Sequence, residues 1–100
     1  MFGTQVRFQA KRGKGAELAE LLLEAARSLT DHEDCRLYLV SAFPDDEDAV
    51  SVTEIWTDAD AHAASLELEV TRALIERARP LIAEIQERTD LVPLGGKGLH

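Results

Sequence analysis

A few side chains carry the chemistry this sequence could perform. In EIWTDADAHAAS, Glu54 and Trp56 stand two residues apart, and His62 and Ser65 follow three residues apart. Histidine is the side chain whose unperturbed pKa lies near neutrality, so His62 is the candidate general base. Trp56 and Tyr38, the only residues of their types, offer flat faces on which a planar ring can stack. Glu54 is either a buried carboxyl with a partner or the acid of a pocket. Arg7 could pair with it or with an anionic substrate. Each has a plainer reading: a boundary histidine, a core tryptophan, half of a structural ion pair.

Asp58, His62 and Ser65 share one helical face and have the residue types of a catalytic triad. Triads draw their members from separate elements around an oxyanion hole, and nothing here supplies one. Residues 45–48, DDED, lack the spacing of a calcium loop and read as a solvated hairpin turn. His32, Glu33 and Cys35 are metal-ligand types without a second cluster, so no metal site is expected. Neither GKG at residues 13–15 nor GGKG at 95–98 has the spacing of a phosphate loop. Cys35 has no activating cation beyond Arg36 and reads as a plain strand-end cysteine.

The elements that position these residues follow from periodicity. FGTQVRFQA alternates, with Phe2, Val6, Phe8 and Ala10 on one side and Gln5, Arg7 and Gln9 on the other, which makes a strand. KRGKG turns the chain. Leu18, Leu22, Ala25 and Leu29 then recur at helical spacing over residues 16–29. RLYLVSAF is apolar on both faces, PDDED is a turn, and AVSVTEIW alternates again, so residues 36–56 form a hairpin. Val50, Val52, Glu54 and Trp56 point one way. Thr57 offers an N-cap with Asp60 three residues on. The helix that follows runs to Ala78 with a break near residues 68–70, and Pro80 should end or kink it. Residues 85–94 form a last strand, and the glycines at about 95–100 a flexible tail.

The order β-α-β-β-α-β is the ferredoxin-like arrangement of an α+β domain, a four-stranded antiparallel sheet with helices on one face. One hundred residues suit a single domain spanning 1–100. A strand apolar on both faces needs cover on both, and a second copy of the sheet supplies it, which predicts a homodimer through the sheet face. The formal charge of −8, from 19 acids and 11 bases, argues against nucleic acid or an anionic membrane as partner. One cysteine excludes an intrachain disulfide and suits a reducing, cytoplasmic setting. No apolar run is long enough to span a bilayer, and the N-terminus lacks signal-peptide character.

Three stretches together resemble the antibiotic biosynthesis monooxygenase family of dimeric α/β barrels. They are VRFQAKRGKGAELAELL, LYLVSAFPDDEDAVSVTEIWTDADAHAASL and VTRALIERARPLIAEI, and the resemblance runs from about residue 4 to residue 97. The resemblance implies a homodimeric barrel with a small pocket in each subunit. It also implies cofactor-independent oxygenation of a small quinol or polyphenol-like aromatic. Catalytically studied members tend to carry a histidine nine residues after the tryptophan. Here that place is Ser65, and His62 lies one helical turn earlier. Haem-degrading relatives use an asparagine in the first strand. This chain has Val6 and Arg7 there and no asparagine, which disfavours haem chemistry. A ligand-binding or structural barrel without turnover is the alternative from another class, because fold does not determine function. An isomerase on the same barrel, using a base but no O2, is a third.

Overall fold

The alternating N-terminal segment becomes the centre of the sheet. In the computed structural model, which describes residues 1–99, β1 spans Phe2–Ala10 and pairs with strands on both sides. β2 (Cys35–Phe43) and β3 (Asp46–Trp56) form the hairpin, and β4 (Ile82–Leu91) is the last strand. The order across the sheet is β2-β3-β1-β4, antiparallel throughout. The sheet is open, not closed on itself, and the fold is the expected α+β ferredoxin-like one.

The helical stripe of α1 (Gly15–Ser28) buries Leu18 and Leu21 against Val50 of β3 and Ala10 of β1. Leu74 and Ala78 of α3 (Glu69–Ala78) join the same cluster. The helices therefore lie on one face of the sheet. A shorter helix, α2 (Ala59–Ser65), precedes α3; the break between them falls at residues 66–68, two residues earlier than the expected 68–70. Among the described residues no helix is long and apolar enough to cross a membrane.

Four local expectations need correction. β3 begins at Asp46, not Ala49, because Phe43 already pairs with Asp46 and leaves only Pro44 and Asp45 in the turn. β4 begins at Ile82, not Ile85, and ends at Leu91, because a 3-10 turn at Arg79–Leu81 takes up Pro80 and leads straight into the strand. The cap of α2 is Asp58, whose Oδ1 accepts from Ala61 N at 2.7 Å. Thr57 is committed elsewhere: its hydroxyl donates to Asp34 Oδ1 at 3.0 Å. Finally, the acidic turn is not wholly solvated. Asp48 reaches back to α1, accepting from Gly15 N at 3.0 Å and from Gly13 N at 3.1 Å. Gly13 has φ of 76°, a left-handed conformation that glycine adopts without strain. The tail expected at about 95–100 is described as far as Leu99, and His100 lies outside the described residues.

Candidate active site

Register builds the site. Glu54 on β3 faces Thr4 on β1 and Tyr38 on β2, so three polar side chains share one rung of the helix-facing side. Trp56 follows Glu54 on the same face and is 0% exposed. Its indole Nε1 donates to Glu54 Oε1 at 3.1 Å. The same carboxylate oxygen lies 3.8 Å from His62 Nε2 on α2. These two side chains remain only partly open, 21% exposed for His62 and 16% for Glu54. The imidazole sits against aromatic rings, with centroids 5.2 Å from Phe2 and 5.8 Å from Trp56.

Burial dominates the electrostatics. Loss of water pushes the Glu54 carboxyl above the ordinary carboxylate range, while the Trp56 hydrogen bond and the charges of His62 and Arg88 hold it back. Tyr38 is raised by burial, then by Glu54 and Cys35, so its phenol keeps its proton and remains a donor. The Cys35 thiol is also pushed up by burial and by Glu54, and it donates weakly to the Leu37 carbonyl at 3.6 Å. It is a free thiol with no sign of activation.

A cavity of about 520 Å³ lies between the helices and the sheet. That volume is typical of a small-molecule site. Glu54, His62, Tyr38, Ser65 and Thr4 supply its polar end, and Phe8, Leu21, Leu74 and Ile82 are among its apolar walls. A carboxyl beside an imidazole at the end of an apolar cavity can accept a proton from a bound hydroxyl group and hold it. Among the described residues no three His, Cys, Asp or Glu side chains gather closely enough to hold a metal ion.

The structure brings His62, Glu54, Tyr38 and Ser65 together around the cavity, keeps Trp56 in contact with Glu54 and His62 but outside the lining, and places Arg7 elsewhere. Trp56 lies behind Glu54 in the core and does not line the cavity, so it positions the carboxyl instead of stacking a ring. Ser65 is buried, and its hydroxyl donates to the His62 backbone carbonyl at 2.6 Å. Arg7 is on the opposite sheet face: its guanidinium stacks 4.0 Å from the Phe43 ring centroid, and its Nε donates to Gln86 Oε1 at 2.8 Å. It can pair neither with Glu54 nor with anything in the cavity. Sequence reasoning missed Thr4 and Arg88, which both line the cavity. Thr4 had a signal, since period two places it with Val6 and Phe8.

Comparison with known proteins agrees with the geometry. A family model, antibiotic biosynthesis monooxygenase, matches residues 1–77. A solved structure from Chloroflexus aurantiacus J-10-fl, provisionally described as such a monooxygenase, is 34% identical. Its TM-score is 0.90, over 99% of this chain and 98% of that one. Provisionally named family members from Deinococcus radiodurans (23% identity, TM-score 0.81, 96% and 95% covered) and Nitrosomonas europaea (16%, 0.87, 95% and 100%) share the fold. No curated protein matches the chain significantly. With its first three strands and the Glu54–His62 pair inside the matched segment, and with the Chloroflexus structure alike from end to end, the chain belongs to the antibiotic biosynthesis monooxygenase family.

Proposed function

We propose that this protein is a cofactor-independent monooxygenase acting on a small quinol or polyphenol-like aromatic in the Glu54–His62 cavity. The observation that carries the reading is the carboxyl–imidazole contact of 3.8 Å at the polar end of an apolar cavity. Family membership supports the reaction class.

His62 takes the proton of a substrate hydroxyl. Glu54, facing Nε2, orients the imidazole and offsets the positive charge it acquires. Tyr38 donates to a substrate oxygen. The electron-rich anion then gives one electron to O2, and the resulting radical and superoxide combine at ring carbon. The O–O bond of that peroxide breaks. One oxygen stays on the ring, the other leaves as water, and the quinol itself supplies the electrons and protons, so a quinol and O2 become a hydroxyquinone and water. The apolar walls keep bulk water from the intermediates.

The test is oxygen consumption with a reduced naphthoquinone. Uptake by the wild type that falls sharply in His62→Ala supports the proposal. No uptake above the uncatalysed rate, or uptake indifferent to His62→Ala, would overturn it in favour of a binding barrel.

The proposal includes a homodimer formed through the sheet face away from the helices. Leu37, Leu39 and Phe43 of β2 lie on that face, and Leu39 is 50% exposed in the single chain. A patch of this kind on a soluble domain calls for cover. The unpaired thiol of Cys35 suits the cytoplasm as the compartment.

A further inference from the structure

The cavity lining extends to β4. On that side it includes Ile85, 49% exposed, and the arginines Arg79 and Arg88. Arg88 lies opposite Val6 in the β1–β4 register, which places it on the helix-facing side of the sheet. The two arginines differ. Arg79 is engaged, with its Nη1 3.2 Å from Glu76 Oε1. Arg88 makes no hydrogen bond and no ion pair among the described residues, and Asp90 on the same strand does not pair with it. Within the cavity its charge is felt by Glu54. That carboxyl is already engaged through Oε1, by Trp56 Nε1 at 3.1 Å and by His62 Nε2 at 3.8 Å.

In a chain with 19 acids and 11 bases, an arginine that no acid engages is a cation left for something else. Long-range attraction does not bring an anion to a protein of formal charge −8. A local guanidinium does, and its planar fork matches a carboxylate with two parallel hydrogen bonds. We propose that Arg88 is the specificity-determining residue of this cavity and selects hydroxyaromatic carboxylates. The acid group pairs with Arg88 on the β4 side, and the ring lies between Phe8 and Leu74 with its hydroxyl towards His62. This rests on the cavity being the substrate site and deepens the proposed function by naming the substrate class.

Calorimetric titration of the full chain with hydroxynaphthoate and with its uncharged carboxamide tests it. The carboxylate is expected to bind about tenfold to a hundredfold more tightly than the amide, the range of a charge-assisted hydrogen-bonded pair. Arg88→Gln removes that difference, lowering the affinity for the carboxylate far more than that for the amide. Arg79→Gln, which alters a guanidinium already held by Glu76, keeps the preference. Equal binding of the two probes, binding of neither, a preference that survives Arg88→Gln, or one lost in Arg79→Gln would each overturn the proposal. Oxygen is not a reactant in this titration. A carboxylate preference dependent on Arg88 in a protein that never consumes oxygen would therefore sink the monooxygenase reading and sustain this one.

Discussion

Trp56 Nε1 donates a 3.1 Å hydrogen bond to Glu54 Oε1, two residues earlier on the same face of β3. A fully buried indole thus fixes the carboxyl that faces His62. The E-x-W spacing has a physical reason: residues i and i+2 of a strand project from one side, close enough for a tryptophan to reach a glutamate. Buried Trp N–H groups need a partner, and here that partner is the site carboxyl.

The raised Glu54 has a consequence for stability. A carboxyl whose pKa is higher in the folded than in the unfolded state binds its proton more tightly when folded. Stability is then greatest below the unfolded pKa and falls as pH rises through the folded value. Glu54→Gln keeps an acceptor for Trp56 and has no proton to lose. Its melting temperature relative to wild type should rise as pH goes from about 4 to about 8, because only the wild type pays for ionisation. Thermal melts in a pH series measure this. A difference that is flat with pH would show that Glu54 is not held towards its neutral form.

His62 and Ser65 should separate in their effects. Removing a positioned general base costs about 10²- to 10⁴-fold in rate, so His62→Ala should lower oxygen uptake on a reduced naphthoquinone by that order. Ser65→Ala deletes a hydroxyl that donates to a backbone carbonyl at 2.6 Å. It should cost about 1 kcal/mol of stability in urea denaturation. A stability loss well beyond that would mean Ser65 fixes more than the last turn of α2.

Much of this arrangement was legible, and the misses have identifiable causes. Alternation placed Val6 and Phe8 on one side of β1 and Arg7 on the other. It also placed Glu54 with Val50 and Val52. What alternation cannot say is which face of one strand matches which face of its neighbour. That needed the register Thr4↔Glu54, after which Arg7 and Glu54 fall on opposite sides of the sheet. Arg88 was harder. The β1–β4 register shifts between Arg7 and Phe8, and an irregularity breaks the period of two on which face assignment depends. The cap at Asp58 was hidden because Thr57 and Asp58 are both good N-cap types. The choice between them is made by Asp34, far away in sequence.

Gly15 should be intolerant of a side chain. A Cβ there would collide with the Glu47 carbonyl oxygen and lie 2.7 Å from Asp48 Cα, both of them backbone atoms. The strand cannot retreat without breaking the two hydrogen bonds that Asp48 accepts from Gly13 and Gly15. Gly15→Ala should cost about 3 kcal/mol or more, beyond the usual penalty for overpacking a flexible side chain. Chemical denaturation measures it. Asp48→Ala, which removes only the carboxylate, should cost less, and the reverse order would mean the clamp and not the close approach dominates this junction.

The dimer proposal has a variant that separates folding from assembly. Leu39 on β2 is 50% exposed in the single chain, so placing a charge there costs the isolated fold little. In a dimer formed through that face, the same charge would be buried without a partner, which is strongly unfavourable. Leu39→Asp should therefore give a monomer with an unchanged far-ultraviolet circular dichroism spectrum. Wild type should show twice the mass of one chain by light scattering at micromolar concentration. A monomeric wild type, or a Leu39→Asp variant that stays dimeric, would mean that this face is not the interface. The apolar residues of β2 would then need a different cover.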